Sequence, residues 1–222
     1  MPKGSAEMGN TMNNTNVQAR RHSPAEHLWA DFEAGSVAGE RGVSLREVPF
    51  QVMVGLRVDP LSDAGQRMGA VTGGLPATAG QVTTAPSGNG GAGISTLWLA
   101  PDEFLVVGLE EGVPGTLAAS LVAALGDGAG QAIELSSNRT TFELSGPSAR
   151  AVLEKSCAAD LHPRSFATGT AITTEITKIP TILWKTGDDS FLIFPRSSFA
   201  DYLGRWFLDG MREFASGGAP WR

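Results

Sequence analysis

Residues 94–109 read ISTLWLAPDEFLVVGL. Two β-rich apolar runs, Ile94–Ala100 and Phe104–Leu109, flank Pro101-Asp102-Glu103, where proline and aspartate supply turn chemistry. The stretch reads as a β-hairpin. After it, Pro114–Leu125 places Leu117, Leu121, Val122 and Leu125 at helical spacing, with Gly126 as the stop. The pattern then recurs. Ile182–Lys185 and Phe191–Phe194 flank Gly187-Asp188-Asp189, and a helix capped by Ser197 or Ser198 runs to about Phe214. Its apolar stripe reads Phe199, Tyr202, Leu203, Trp206, Gly210 and Phe214. Trp98 with Phe104-Leu105-Val106-Val107 is echoed by Trp184 with Phe191-Leu192-Ile193-Phe194. The expected class is therefore α+β, a mainly antiparallel sheet with amphipathic helices, built from duplicated hairpin-plus-helix units. Regular βαβ alternation is missing, which argues against a doubly wound parallel sheet.

Outward from the hairpins, residues 43–58 are β-branched and read as one or two strands, with Pro49 at an edge or break. Gln131–Ser136 and Thr140–Ser145 read as another strand pair. Ser145-Gly146-Pro147 opens a helix over Ser148–Ala158 that buries Ala149, Val152, Leu153 and Cys157. Ala171–Lys178 alternates as a strand does and Pro180 breaks it. A short helix near Ser23-Pro24 would bury Leu28, Trp29 and Phe32. Residues 60–93 hold nine glycines without a sustained period, so they read as a long Gly-rich loop. Residues 1–22 lack apolar periodicity and read as a disordered tail. The expected organisation is a tail at 1–22, one globular α+β domain at 23–215 and a C-terminal tail at 216–222.

Composition removes whole classes of function. The 222 residues carry 17 basic and 23 acidic side chains, a net charge of −6, without the basic stripe of a nucleic-acid binder or a polybasic membrane protein. One cysteine and three histidines leave little for a disulfide framework or a metal centre. Apolar runs fall short of the roughly 18 residues that span a bilayer, and no signal-peptide core opens the chain. A cytoplasmic protein without membrane or nucleic-acid partners is expected.

Candidate chemistry is thin. Gly88-Asn89-Gly90-Gly91-Ala92-Gly93 matches G-x-G-x-x-G, but a dinucleotide site needs a strand before it and a helix after it. Here a polar loop precedes and a strand follows. The acidic pairs Asp102-Glu103, Glu110-Glu111 and Asp188-Asp189 fit solvated turns better than catalytic clefts. Cys157 falls on an apolar face as a small hydrophobe, and His162 sits at a helix end. Catalytic, cofactor-binding and metal-ligating residues are each expected to be none. Trp206 beside Phe207, and Trp221 in a Gly-rich tail, fit burial against another subunit, because aromatic residues anchor interfaces; the alternative for Trp221 is that it folds back onto its own domain.

Residues 134–153, ELSSNRTTFELSGPSARAVL, resemble the folate-binding aminomethyltransferase family, where a strand pair leads into G-P-x-A at a helix start. Residues 157–166 (CAADLHPRSF), 97–105 (LWLAPDEFL) and 196–203 (RSSFADYL) resemble the gamma subunits of heterotetrameric sarcosine oxidase. That resemblance spans roughly residues 23–215. It implies a folate-binding-like fold and a complex with alpha, beta and delta subunits. Such a complex oxidatively demethylates sarcosine to glycine, giving hydrogen peroxide, and with tetrahydrofolate yields methylenetetrahydrofolate. It also implies that FAD, FMN, NAD and zinc belong to the other subunits. No catalytic residue is carried over. The competing expectation is an independent folate-dependent C1-transfer protein of the aminomethyltransferase type, with a carboxylate-bearing pocket near 134–145.

Overall fold

The computed structural model describes residues 21–85, 93–111 and 115–215. The strands are β1 (Ser44–Glu47), β2 (Gln51–Arg57), β3 (Val82–Ala85), β4 (Ile94–Ala100), β5 (Glu103–Glu111), β6 (Gln131–Glu134), β7 (Phe142–Ser145), β8 (Ala171–Ile176), β9 (Ile179–Gly187) and β10 (Ser190–Pro195). The helices are α1 (Trp29–Gly35), α2 (Asp63–Thr72), α3 (Thr116–Leu125), α4 (Ala149–Glu154) and α5 (Ala200–Ala215). The strands form two five-stranded sheets, ordered β3-β4-β5-β2-β6 and β8-β9-β10-β7-β1. All of these pairings are antiparallel.

Period-2 alternation sorts each strand onto two apolar layers. Met53, Leu97, Leu105 and Val107 of one sheet pack against Ala171, Ile182, Trp184 and Phe194 of the other. Their chain neighbours Val54, Leu56, Phe104 and Val106 pack instead with Met68 of α2 and Leu121 and Leu125 of α3. Leu183, Phe191 and Ile193 pack with Phe32 of α1, Val152 and Leu153 of α4, and Leu203 and Phe207 of α5. The result is helices, sheet, sheet, helices.

The two sheet orders expose the duplication. β2-α2-β3-β4-β5-α3 matches β7-α4-β8-β9-β10-α5, strand for strand and helix for helix. The first unit takes its fifth strand from the chain that follows α3, as β6. The second takes it from the N-terminal side, as β1. The chain therefore passes between the sheets at 48–50 and again at 135–141.

Several expectations are corrected. The run at 131–145 is not a strand pair: β6 pairs with β2, and β7 pairs with β1 and β10. The Gly-rich stretch holds α2 and β3. Ser62 Oγ accepts from Gly65 N–H at 3.0 Å to cap α2, and Gly73 closes it at φ 79°. Gly65 is packed against the backbone of Asp59 and Pro60, where a Cβ would lie 2.2 Å from Asp59 O. Arg67 of α2 donates to the carbonyls of Ala124 and Leu125, at the C-terminus of α3. Val122 on α3 is exposed. α4 stops at Glu154, and Cys157 is half-buried in a bridge to Ile176. Pro180 does not break the strand pattern, because it sits near the start of β9, after a two-residue turn whose Thr177 and Lys178 both have positive φ. Near Ser23-Pro24 the chain forms a 3-10 turn, Glu26–Leu28, before α1, and Trp29 is exposed.

Candidate functional site

The sequence stripe on α5 is rotated in the structure. Ala200, Leu203, Gly204, Phe207 and Met211 face the core. Phe207 is fully buried and meets Phe142 edge-on at 6.0 Å, so its expected role at a partner interface is corrected. Tyr202 and Trp206, four residues apart, lie on the outer face at 48% and 38% exposure. Their rings stack at 6.4 Å and 26°. Each polar tip is held: Thr177 Oγ1 donates to Tyr202 OH at 3.0 Å, and Trp206 Nε1 donates to Ser156 Oγ at 2.9 Å. Two flat aromatic surfaces are thereby fixed while their faces stay accessible. Trp221 lies outside the described residues.

Charged groups rim this face. Asp201 bonds His27 at 2.6 Å and Arg205 at 3.0 Å. Its carboxyl is held below the usual range, by the His27 hydrogen bond first and Arg205 next. Lys155 pairs with Glu213 at 2.8 Å and lowers that carboxyl in the same way. Lys155 also lies over the Phe214 ring at 5.1 Å, as does Arg41 at 5.3 Å. An aromatic centre with a charged rim is the anatomy of a protein–protein contact.

The catalytic candidates are scattered. Asp102 and Glu103 flank Arg57, at 3.8 and 2.9 Å. Asp188 accepts from Thr168 Oγ1 at 2.9 Å. Cys157 Sγ lies 3.8 Å from Thr174 Oγ1, and the His162 ring accepts only a long bond from Arg164 N–H, at 3.3 Å. Among the described residues no three His, Cys, Asp or Glu side chains come together as metal ligands. Gly88–Ala92 lie outside the described residues, but the strands on either side of the motif, β3 and β4, pair antiparallel. A strand rather than a helix follows it, and the helix N-terminus that a pyrophosphate requires is not made there.

Around 134–145 the carboxylates are engaged. Glu134 accepts from Gly115 N–H at 3.0 Å and from Ser136 N–H and Oγ. Glu143 pairs with Arg46. Glu47, buried beside them, accepts from Ala25 N–H at 3.1 Å, Trp29 Nε1 at 2.8 Å and Thr140 Oγ1 at 2.6 Å. Sequence reasoning passed over Glu47 because a lone glutamate at a strand end reads as solvent-facing.

The chain matches the model of the sarcosine oxidase, gamma subunit family over residues 73–213. It is 47% identical over 197 residues to the sarcosine oxidase subunit gamma of Corynebacterium sp. (strain U-96), spanning 88% of this chain and 92% of that protein. The same figures hold for the subunit gamma of an Arthrobacter species. A chain in the solved structure of the heterotetrameric sarcosine oxidase from Corynebacterium sp. U-96 in complex with pyrrole 2-carboxylate superposes with a TM-score of 0.82 at 46% identity, over 90% of this chain and 98% of that one. Aminomethyltransferase T of the glycine cleavage system from Bartonella henselae shares the fold, with a TM-score of 0.60 at 18% identity over 83% of this chain and 56% of that one. Identity near one half, sustained over nearly the whole fold, leaves one assignment: the chain belongs to the sarcosine oxidase gamma subunit family.

Proposed function

We propose that the chain is a non-catalytic structural subunit of a heterotetrameric sarcosine oxidase in the cytoplasm. The complex oxidatively demethylates sarcosine to glycine with release of hydrogen peroxide, and passes the one-carbon unit to tetrahydrofolate when it is present. The alpha, beta and delta subunits carry FAD, FMN, NAD and zinc, and this chain binds none of them. No described helix is long and apolar enough to cross a membrane, in keeping with that setting.

The observation that carries the structural role is the Tyr202–Trp206 pair. Both rings are stacked and exposed, although their neighbours on α5 are in the core. Trp221 is assigned to the same interface. Native mass spectrometry of the co-expressed subunits tests the reading. Trp206→Ala should weaken assembly by about 2 kcal/mol or more, as truncation of an interface anchor does. Unchanged assembly would remove this face from the interface.

The rival reading, an independent folate-dependent C1-transfer protein, needs a free carboxylate near 134–145 as acid or base. Glu47, Glu134 and Glu143 are all engaged within the fold, and the likeness to aminomethyltransferase T is one of fold.

A further inference from the structure

The face of α1 turned to β1 carries Trp29, Phe32 and Glu33, at the spacing of one helical face. Opposite them stand Leu45, Arg46 and Glu47 of β1. Between the two elements runs an open groove of about 410 Å³. That is the size of a pocket for a small molecule or a long side chain rather than for a few waters. Phe32 and Leu45, each 2% exposed, close its floor and offer a guest little contact. What a guest reaches is the Trp29 ring, 40% exposed, and the exposed Glu33 side chain.

The electrostatics of the groove favour a cation. Glu33 forms no ion pair with a described residue. Arg46, on the opposite wall, is already matched by Glu143. The Glu47 carboxylate takes Ala25 N–H, Trp29 Nε1 and Thr140 Oγ1, all of them neutral donors, so its charge is hydrogen-bonded without being cancelled. The 2.8 Å bond from Trp29 Nε1 also holds the indole in place. An indole N–H that donates to a carboxylate leaves the ring richer in electrons, which strengthens its pull on a cation.

The chain already uses this combination of groups at the end of α5. Lys155 and Arg41 lie over the Phe214 ring at 5.1 and 5.3 Å, and Glu213 pairs with the same two cations at 2.8 and 3.7 Å. There the ring, the carboxylate and the cations all come from one chain.

We propose that the groove between α1 and β1 docks an arginine side chain of another subunit, its guanidinium stacked on Trp29 and paired with Glu33. Arginine suits the site better than lysine, because its planar group stacks on a ring and bonds a carboxylate at once. Tryptophan and arginine are also the residues that most often anchor interfaces. The open groove favours a side chain delivered by a docked surface over a free cation, which needs enclosure on most sides. The inference rests on the reading of this chain as a subunit of a larger complex. It adds a contact on α1 to the Tyr202–Trp206 contact on α5.

The assembled complex tests it. An isotope-labelled copy of this chain is exchanged into the co-expressed complex, and native mass spectrometry reads the rate. Glu33→Gln should exchange about tenfold faster than wild type, and Glu33→Lys faster still. Salt should speed exchange of wild type more than of Glu33→Gln, since only wild type has the ion pair to screen. The Glu33 side chain is exposed and makes no ion pair in the fold, so both variants should melt with wild type. A high-resolution structure of the complex then reads the guest. An arginine of another subunit on Trp29 and Glu33 establishes the proposal, whereas solvent, a lysine or a neutral side chain there overturns it. Exchange of both variants at the wild-type rate overturns it too, and leaves the subunit reading standing. A wild-type chain that joins no other subunit brings down both.

Discussion

At the scale of single residues, stability rests on how few buried polar atoms go unpaired. Glu47 is buried, yet both carboxylate oxygens are used, and its three donors come from the N-terminal segment, α1 and the second passage between the sheets. Glu47→Ala leaves those donors unpaired and is expected to destabilise the protein by about 2–3 kcal/mol, read from denaturant midpoints. Lys185 is the opposite case. It is 3% exposed, and its Nζ has one long bond, 3.4 Å to Phe166 O. Replacing a poorly compensated buried charge with an apolar group of similar volume is neutral or stabilising, by about 1 kcal/mol or more, so Lys185→Met should melt no lower than wild type. A drop would mean that Lys185 stabilises the fold beyond its one long bond to Phe166 O. Neither residue was legible in the sequence, because burial of a charged side chain is decided by distant strands.

At the scale of elements, periodicity located α5 but not its orientation. Phe199, Tyr202, Trp206 and Gly210 keep helical spacing as well as Ala200, Leu203, Gly204, Phe207 and Met211 do, so both stripes read as apolar. Glycine breaks the tie. A Cβ on Gly204 would lie 2.8 Å from Leu28 Cδ1 and 3.0 Å from Phe32 Cζ, both on buried side chains. The helix is therefore held close to the N-terminal segment through its smallest residue. Gly204→Ala gains about 1 kcal/mol of helix propensity but overpacks this contact at a cost of about 1–3 kcal/mol, and a lower melting temperature is expected. The same blindness to packed glycines hid α2 in a stretch that reads as loop. The His27–Asp201 bond joins the same two elements. Because the Asp201 and Glu213 carboxyls are held below their usual range, the stability they add is present above the unfolded carboxylate values near pH 4. It is lost as pH falls through the depressed values. Melting temperatures should fall over that acid window, and less so in Asp201→Asn. Both groups are exposed, so the effect is small.

At the scale of the whole molecule, the echo of Trp98 and Phe104–Val107 in Trp184 and Phe191–Phe194 was enough to read a duplication and an antiparallel α+β fold. The partition into two sheets was not legible, because β6 and β7 are adjacent in sequence and equally apolar, and only the helical layer each packs against tells them apart: Ala132 lies with α2 and α3, Phe142 and Leu144 with α1, α4 and α5. Nor was the asymmetry between the units. The first unit is continuous over residues 51–134, whereas the second, 142–215, is closed by β1 and α1 from residues 29–47. Without that segment β7 presents a bare edge and the outer core loses Phe32 and Leu45, each 2% exposed. An uncovered edge of this kind invites aggregation. A chain beginning at Pro49 is therefore expected to lose its cooperative melting transition. Moving residues 21–48 behind residue 215 on a flexible Gly/Ser linker should restore it, since the first unit takes β6 after α3 in that same order. Circular dichroism melts of the two variants decide. A truncated chain that melted like wild type would show that the second unit closes without β1.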